Sequence, residues 1–106
     1  MTKAEMQKMI EQGTPLALVE YRSGKAETIT YRDKTTGRSA TMKLITHNVE
    51  AGNNAVQIGE RVPDEQNLTD WQPPFKKGSQ CVLVIESFTK DKGVYKAGGK
   101  LHPLAA

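Results

Sequence analysis

Residues 80–101 read QCVLVIESFTKDKGVYKAGGKL. The run at 81–85 is apolar on both parities, which is typical of a strand covered on both faces. The sequence KDKG at 90–93 then predicts a tight turn into a last strand at 94–101. We therefore expect a central strand at 80–89 and a closing hairpin at the end of the domain.

Three further strands are predicted upstream from alternating apolar and polar residues. The first, at 16–33, is either a hairpin or one long strand bent at Gly24, since glycine inside a strand often marks a bulge. A loop at 33–37 leads to the second strand at 38–49, and the third follows at 55–62. The connection at 63–78 contains three prolines. It is predicted to be irregular, with one helical turn near 64–68 and with Trp71 and Phe75 anchored on the body.

A short helix is predicted at the N-terminus, over 3–12. Thr2 and Glu5 form a capping-box pattern, and Gly13 supplies a stop. Three apolar residues lie at helical spacing in between: Met6, Met9 and Ile10. So short a helix needs cover, and we expect it to pack as a lid on one end of the domain.

These elements predict a single domain over residues 1–106, all-β with one short N-terminal helix, folded as a five-stranded antiparallel barrel over 16–103. The predicted core consists of apolar residues on the inward parities: Val19, Ile29, Met42, Leu44, Val56, Ile58, Val82, Leu83, Val84 and Ile85. Tyr21 and Tyr31 share the parity of Val19 and Ile29 and are expected to be buried as well.

The order of strands is similar to the oligonucleotide-binding (OB) fold, a five-stranded, partly open barrel. The strongest local likeness is in the final third, where Lys77-Gly78 precedes the apolar strand and a lysine-rich turn leads to the last one. It resembles the closing hairpin of single-stranded DNA-binding proteins. The resemblance implies a nucleic-acid-binding barrel without a cofactor.

Composition sets limits on compartment and chemistry. No apolar run approaches the roughly 20 residues of a membrane span, no secretory signal is recognised, and the single Cys81 is expected to be buried, so a cytoplasmic protein is predicted. His47 and His102 have no metal-ligand spacing, and Gly98-Gly99-Lys100 lacks the other parts of a phosphate loop. We expect no metal site, no catalytic residues and no enzymatic activity.

Charge and aromatic residues favour a binding role. Residues 75–106 contain six lysines and two carboxylates, a net charge of +4. These lysines either solvate exposed strand edges or contact phosphates. The candidate nucleic-acid-binding residues are basic or aromatic: Arg22, Arg38, Lys43, Trp71, Lys90, Lys92, Tyr95, Lys96 and Lys100. Phe88 is ambiguous, because it shares the parity of Val82 and Val84.

Two functional hypotheses follow. The first is binding of single-stranded nucleic acid, with DNA favoured over RNA, by bases stacking on rings while cations follow the phosphates. The alternative is a protein-interaction or assembly module, including a homo-oligomer, built on an edge strand or on the helix. An enzyme whose site forms only between subunits is a third and weaker hypothesis.

Overall fold

The computed structural model describes residues 1–104, so the last two residues of the predicted domain lie outside the described part. It contains one helix, α1 (Lys3–Glu11), and five strands. The strands are β1 (Leu16–Arg32), β2 (Ser39–Ala51), β3 (Asn54–Val62), β4 (Gln80–Asp91) and β5 (Val94–Pro103). The mostly β composition and all five predicted strands are confirmed. The connection at 63–79 contains turns but no helix, so the helical turn predicted near 64–68 is wrong.

The five strands close into a ring in the order β1-β2-β3-β5-β4. Four of the seams are antiparallel, but β3 and β5 run parallel, with Val56 opposite Tyr95 and Ile58 opposite Ala97. The expectation of a fully antiparallel sheet is therefore wrong. The reason is geometric, because strand direction cannot alternate at every seam of a closed ring with an odd number of strands.

Strand β1 is one long bent strand and not a hairpin. Its first part pairs with β4, from Leu16 opposite Val84 to Glu20 opposite Gln80. Its later part pairs with β2, and the register shifts between Tyr21 and Ser23. A bulge at this point lets one strand serve two seams, which closes the ring.

The core lies inside the ring. Its buried cluster combines residues from all five strands: Val19, Tyr21, Val49, Val56, Ile58, Cys81, Leu83 and Ala97. Val82 is buried outside this cluster. Several predicted core residues are only half-buried: Ile29, Tyr31, Met42, Leu44, Val84 and Ile85.

Three of these residues, Ile29, Tyr31 and Met42, are half-buried for a common reason. The last pairing of β2 with β3 joins Lys43 to Val62. Residues 29–42 therefore form a two-stranded ribbon that no third strand flanks within residues 1–104. This ribbon also contributes to a long molecular axis of 48 Å against 29 and 25 Å.

The helix α1 begins with the predicted capping box, in which Thr2 and Glu5 bond each other's backbone N–H groups. It ends at Glu11, one residue before the predicted end. None of its residues is buried, and Ile10 is 55% exposed. Met6 and Met9 of the predicted apolar stripe are half-buried whereas Ile10 faces solvent, so the helix packs on the body only in part. Within residues 1–104 no helix is long and apolar enough to cross a membrane.

Candidate nucleic-acid interface

The β4–β5 hairpin presents an aromatic pair that the sequence pattern alone obscures. A bulge between Ile85 and Ser87 inserts one extra residue into β4, so that Phe88 lies opposite Ala97 and Lys90 opposite Tyr95. Paired residues in a sheet share a face. Phe88, Lys90 and Tyr95 therefore lie on the same face as Ala97, whose side chain belongs to the core.

Phe88 and Tyr95 stack, with ring centroids 5.7 Å apart and an interplanar angle of 30°. The ammonium of Lys90 lies 5.3 Å from the centroid of the Tyr95 ring, within the range of a cation–π contact. Phe88 is 52% exposed although it is a large apolar side chain. We call these three residues the aromatic platform.

A shallow groove of about 200 Å³ lies beside the platform and extends it across the sheet. Its lining joins the two platform rings to Ala51 and Asn54 at the β2–β3 turn and to Val56. Because β3 and β5 are parallel, their first residues lie at the same end of the ring, which brings the β2–β3 and β4–β5 turns to one end. A flat ring placed here would meet aromatic faces on one side and short side chains on the other.

Two more of the predicted lysines belong to this hairpin. Lys92 and Gly93 both have positive φ, at 50° and 81°, as the tight two-residue turn between β4 and β5 requires. Lys96 lies on the opposite face of β5 from Tyr95, and its ammonium is 3.4 Å from Asp91. The structure thus brings Lys90, Lys92, Tyr95 and Lys96 to one hairpin.

The remaining candidates do not join that group. Arg22 pairs with Glu50 at 2.9 Å and with Glu20 at 3.4 Å, which leaves it little free charge. Lys43 donates to the backbone carbonyl of Gln66 in the connection. Arg38 lies at the turn end of the ribbon, just before β2. The nine candidates are therefore not all brought together in one place.

Trp71 belongs to a buried aromatic cluster at the other end of the ring. Its indole lies 6.1 Å from the ring of His47, and Phe75 lies 5.4 Å from Tyr21. Trp71 is half-buried by these contacts, and Gly24 leaves room for its edge. Packing, not an open stacking surface, is what the structure assigns to this residue, while its predicted role in anchoring the connection is confirmed.

His47 and Tyr21 form the polar centre of this cluster. The Tyr21 hydroxyl lies 2.8 Å from Nδ1 of His47. Burial lowers the pKa of His47 below its ordinary value, an effect that the nearby Glu60 carboxylate opposes, and burial raises the pKa of Tyr21. Both groups are therefore neutral at neutral pH.

A second cavity, which we call the seam cleft, opens where β3 and β5 diverge after the Ile58–Ala97 pair. It has a volume of about 260 Å³. Its lining comes from four parts of the chain: His47, Ile58, Glu60, Pro74, Phe75, Gly99, Lys100, Leu101 and His102. Lys100, a predicted phosphate contact, thus lies at the seam cleft and away from the aromatic platform.

Two notable residues were not identified from sequence. Phe88 was left ambiguous because the bulge at Glu86 shifts its parity, and the polar residues on either side of it were the only signal in the sequence. Glu60 was overlooked although it shares the parity of the buried Val56, Ile58 and Val62. A carboxylate at an inward position of an alternating strand was the available signal.

No protein-family model, no curated protein and no solved structure matches this chain. Within residues 1–104, no group of three or more His, Cys, Asp or Glu side chains is arranged to hold a metal ion. Cys81 is fully buried, and burial raises the pKa of its thiol, which disfavours the reactive thiolate.

Proposed function

We propose that this chain is an OB-fold protein that binds single-stranded nucleic acid, with DNA favoured over RNA, through the aromatic platform and the basic β4–β5 hairpin. The strand order of the ring is compatible with the five-stranded Greek-key barrel of that fold. The preference for DNA rests on the resemblance of the last two strands to the closing hairpin of single-stranded DNA-binding proteins.

The observation that carries the proposal is the stacked Phe88–Tyr95 pair, in which Phe88 is exposed and Tyr95 is half-buried, with the Lys90 ammonium over the Tyr95 ring. A phenylalanine that is 52% exposed gives up part of the hydrophobic stabilisation of burial. The Phe88 ring is stacked on Tyr95 and its remaining surface is open to solvent. Bases stack on such rings at about 1–3 kcal/mol each, in a sequence-tolerant manner. The groove beside the pair gives a second ring a place to lie.

Charge supports the same surface. Lys92 is exposed at the turn and Lys90 is exposed beside the two platform rings. The phosphates of a nucleic-acid strand whose bases stack on these rings would therefore find cations within reach. The ribbon adds another basic element, with three basic residues and one acidic residue in 29–42. The acidic one, Asp33, accepts backbone N–H bonds from Thr35 and Thr36 within the turn.

Titration of a labelled oligo-dT, with a duplex of equal length as comparison, tests the proposal. Oligo-dT is expected to bind more tightly than the duplex, and its affinity is expected to fall steeply between low and high salt because phosphate contacts release counterions. Absence of oligo-dT and oligo-U binding at low salt would rule the proposal out.

A protein-interaction module is the second candidate, and a specific observation favours it. Ile10 on α1 and Leu18 on β1 are 55% and 53% exposed, and α1 has no buried residue. Such side chains gain stability when a partner or a second copy covers them. Sedimentation of the protein across a range of concentrations separates self-assembly from a monomeric nucleic-acid binder.

A further inference from the structure

Resting on the proposed function, we infer that the seam cleft is a base-specific subsite that takes one guanine of the bound strand, with Glu60 as the reading group. The cleft is separate from the aromatic platform and lies further along the same β3–β5 seam. The residues that line the cleft do not include any residue of the aromatic platform.

The shape of the cleft suits one planar ring. At about 260 Å³ it is smaller than the roughly 300–1,000 Å³ of most small-molecule sites. Phe75 and Pro74 supply a flat apolar wall, and Ile58 and Leu101 add further apolar lining. Single-stranded bases are recognised in this way, with a face on an aromatic ring and an edge on polar groups.

The polar groups of the cleft select the ring. Glu60 shares the parity of the buried Ile58 and Val62 on β3, and its exposed side chain lines the cleft. A carboxylate accepts two hydrogen bonds side by side and donates none. Guanine is the base that offers two adjacent donors, N1–H and the N2 amino group, so it matches Glu60 while thymine and adenine do not.

His47 provides a further polar atom on the same wall. Tyr21 occupies its Nδ1, and Nε2 has no hydrogen-bond partner among residues 1–104. Since no fully buried side-chain nitrogen or oxygen of that part of the chain lacks a partner, Nε2 retains accessible surface, and His47 lines the cleft. When Tyr21 donates to Nδ1, the neutral ring bears its proton on Nε2 and can donate to the O6 acceptor of guanine.

The position of the cleft suits a strand that also reaches the platform. Tyr95 and Gly99 are four residues apart on β5, about 13 Å at about 3.3 Å per residue. Stacked nucleotides rise about 3.4 Å each, so the two sites are only a few nucleotides apart. Lys100 lines the cleft and provides a cation for the phosphate next to the guanine.

The test compares three oligonucleotides of equal length: oligo-dT, the same strand with one internal dG, and the same strand with dI at that place. One dG is expected to tighten binding about tenfold, as a good bidentate pair to a base edge does. Hypoxanthine lacks the N2 amino group, so dI is expected to lose most of the gain. The Glu60→Gln variant is expected to lose the dG preference, measured as the ratio of its affinities for the dG strand and for oligo-dT.

Glu65→Gln is the matched control, because Glu65 is an exposed carboxylate in the connection that does not line the cleft. It is expected to keep the dG preference. Oligo-dT binding without a dG preference, or a preference that survives Glu60→Gln, would overturn this inference and leave the proposed function standing. Absence of binding to any of the strands would overturn both. Near-UV circular dichroism of Trp71 verifies that each variant is folded.

Discussion

The Tyr21 hydroxyl and His47 Nδ1, 2.8 Å apart, join β1 to β2 at the point where β1 bends. Tyr21 is 1% exposed and His47 is 8% exposed. Burial keeps both groups neutral, so their hydrogen bond places no charge in the core. Gly24 lies directly against it, since a Cβ there would be 2.2 Å from the Tyr21 hydroxyl.

Replacing Tyr21 with Phe is expected to lower the free energy of unfolding by about 1–3 kcal/mol. The change keeps the ring but leaves Nδ1 of His47 without its partner in a buried position. Urea denaturation measures the loss. Tyr31→Phe is the control, because Tyr31 is half-buried and its hydroxyl has no hydrogen bond within residues 1–104; its effect should stay within about 0.5 kcal/mol. Equal effects of the two changes would contradict the role of the bond.

Gly24→Ala is expected to destabilise the protein by about 1–3 kcal/mol, because a new methyl group in packed surroundings forces its neighbours to shift. Besides the Tyr21 hydroxyl, the added Cβ would meet Trp71 at 3.0 Å and His47 at 3.2 Å. Gly59→Ala is a matched control on another strand, where nothing lies within 4 Å and φ is not positive. It is expected to be neutral or slightly stabilising. Thermal unfolding of both variants distinguishes packing from a general effect of removing glycine.

Alternation along the chain located the three upstream strands because the side-chain period of a strand is two, while the apolar run at 81–85 and the KDKG turn located the last two. What it did not reveal was where a strand lacks neighbours. Ile29 and Met42 alternate as core residues do, yet they pair with each other on the ribbon outside the ring. Whether a third strand flanks them depends on where β3 ends, and the local sequence of β1 and β2 contains no information on that.

The part of the candidate site that lies within one hairpin was predictable from the sequence. Lys90, Lys92, Tyr95 and Lys96 are neighbours in sequence and remain so in the hairpin. That Trp71 packs against His47 was not predictable, because a polar loop gives no sign of which ring of the body it will contact. Bringing residues together from strands distant in sequence depends on the ring closure, which local patterns do not encode.

Stability is expected to fall as the pH drops below about 6.5, because of His47. Its pKa in the folded protein lies below the ordinary value of 6.5, so the unfolded chain binds the proton more readily. The contribution of the neutral ring is complete above that pH and is lost as the pH falls through the folded-state pKa. The slope is at most about 1.4 kcal/mol per pH unit. Urea midpoints between about pH 8 and pH 5 measure it.

His47→Gln supplies the control for this pH dependence, because an amide does not titrate and its oxygen can still accept from Tyr21. The variant is expected to be less stable at neutral pH and to lose the slope between about pH 7 and pH 5. Glu5, whose pKa is lowered by its hydrogen bonds to Thr2, acts only below its ordinary value of 4.5 and leaves this window unaffected. If the pH dependence of the unfolding free energy persisted in His47→Gln, another titrating group would be its cause.

Leu83→Ala is expected to cost about 2–5 kcal/mol of unfolding free energy. Leu83 is 2% exposed and belongs to the core cluster, so its loss leaves a cavity inside the ring. Leu18→Ala, at a side chain that is 53% exposed, removes the same atoms from a solvent-facing position and should cost far less. A loss well under 1 kcal/mol for Leu83→Ala would contradict its place in the core.

Binding to oligo-dT is expected to weaken by about 1–3 kcal/mol in Tyr95→Ala and in Phe88→Ala, with little change in salt dependence, because stacking releases no ions. Tyr95→Phe should be nearly neutral, since the ring and not the hydroxyl stacks. Leu18→Ala is the matched control for Phe88→Ala, because the two side chains are 53% and 52% exposed and only Phe88 belongs to the platform. Equal losses of affinity in Phe88→Ala and Leu18→Ala would place the ligand elsewhere.

The lysines of the hairpin are expected to act through charge alone. Each phosphate-contacting lysine changed to Ala should weaken binding to all sequences and reduce the logarithmic salt slope by about 0.7, because one fewer counterion is released from a single strand. Lys92 should show this most clearly, since it is exposed and has no carboxylate within 4 Å in the described chain, whereas Lys96 is partly neutralised by Asp91 at 3.4 Å. Titrations of each variant at several salt concentrations measure the slope. If the slope stays intact in both variants, the strand crosses a different face, and Arg38 on the ribbon is the next residue to change.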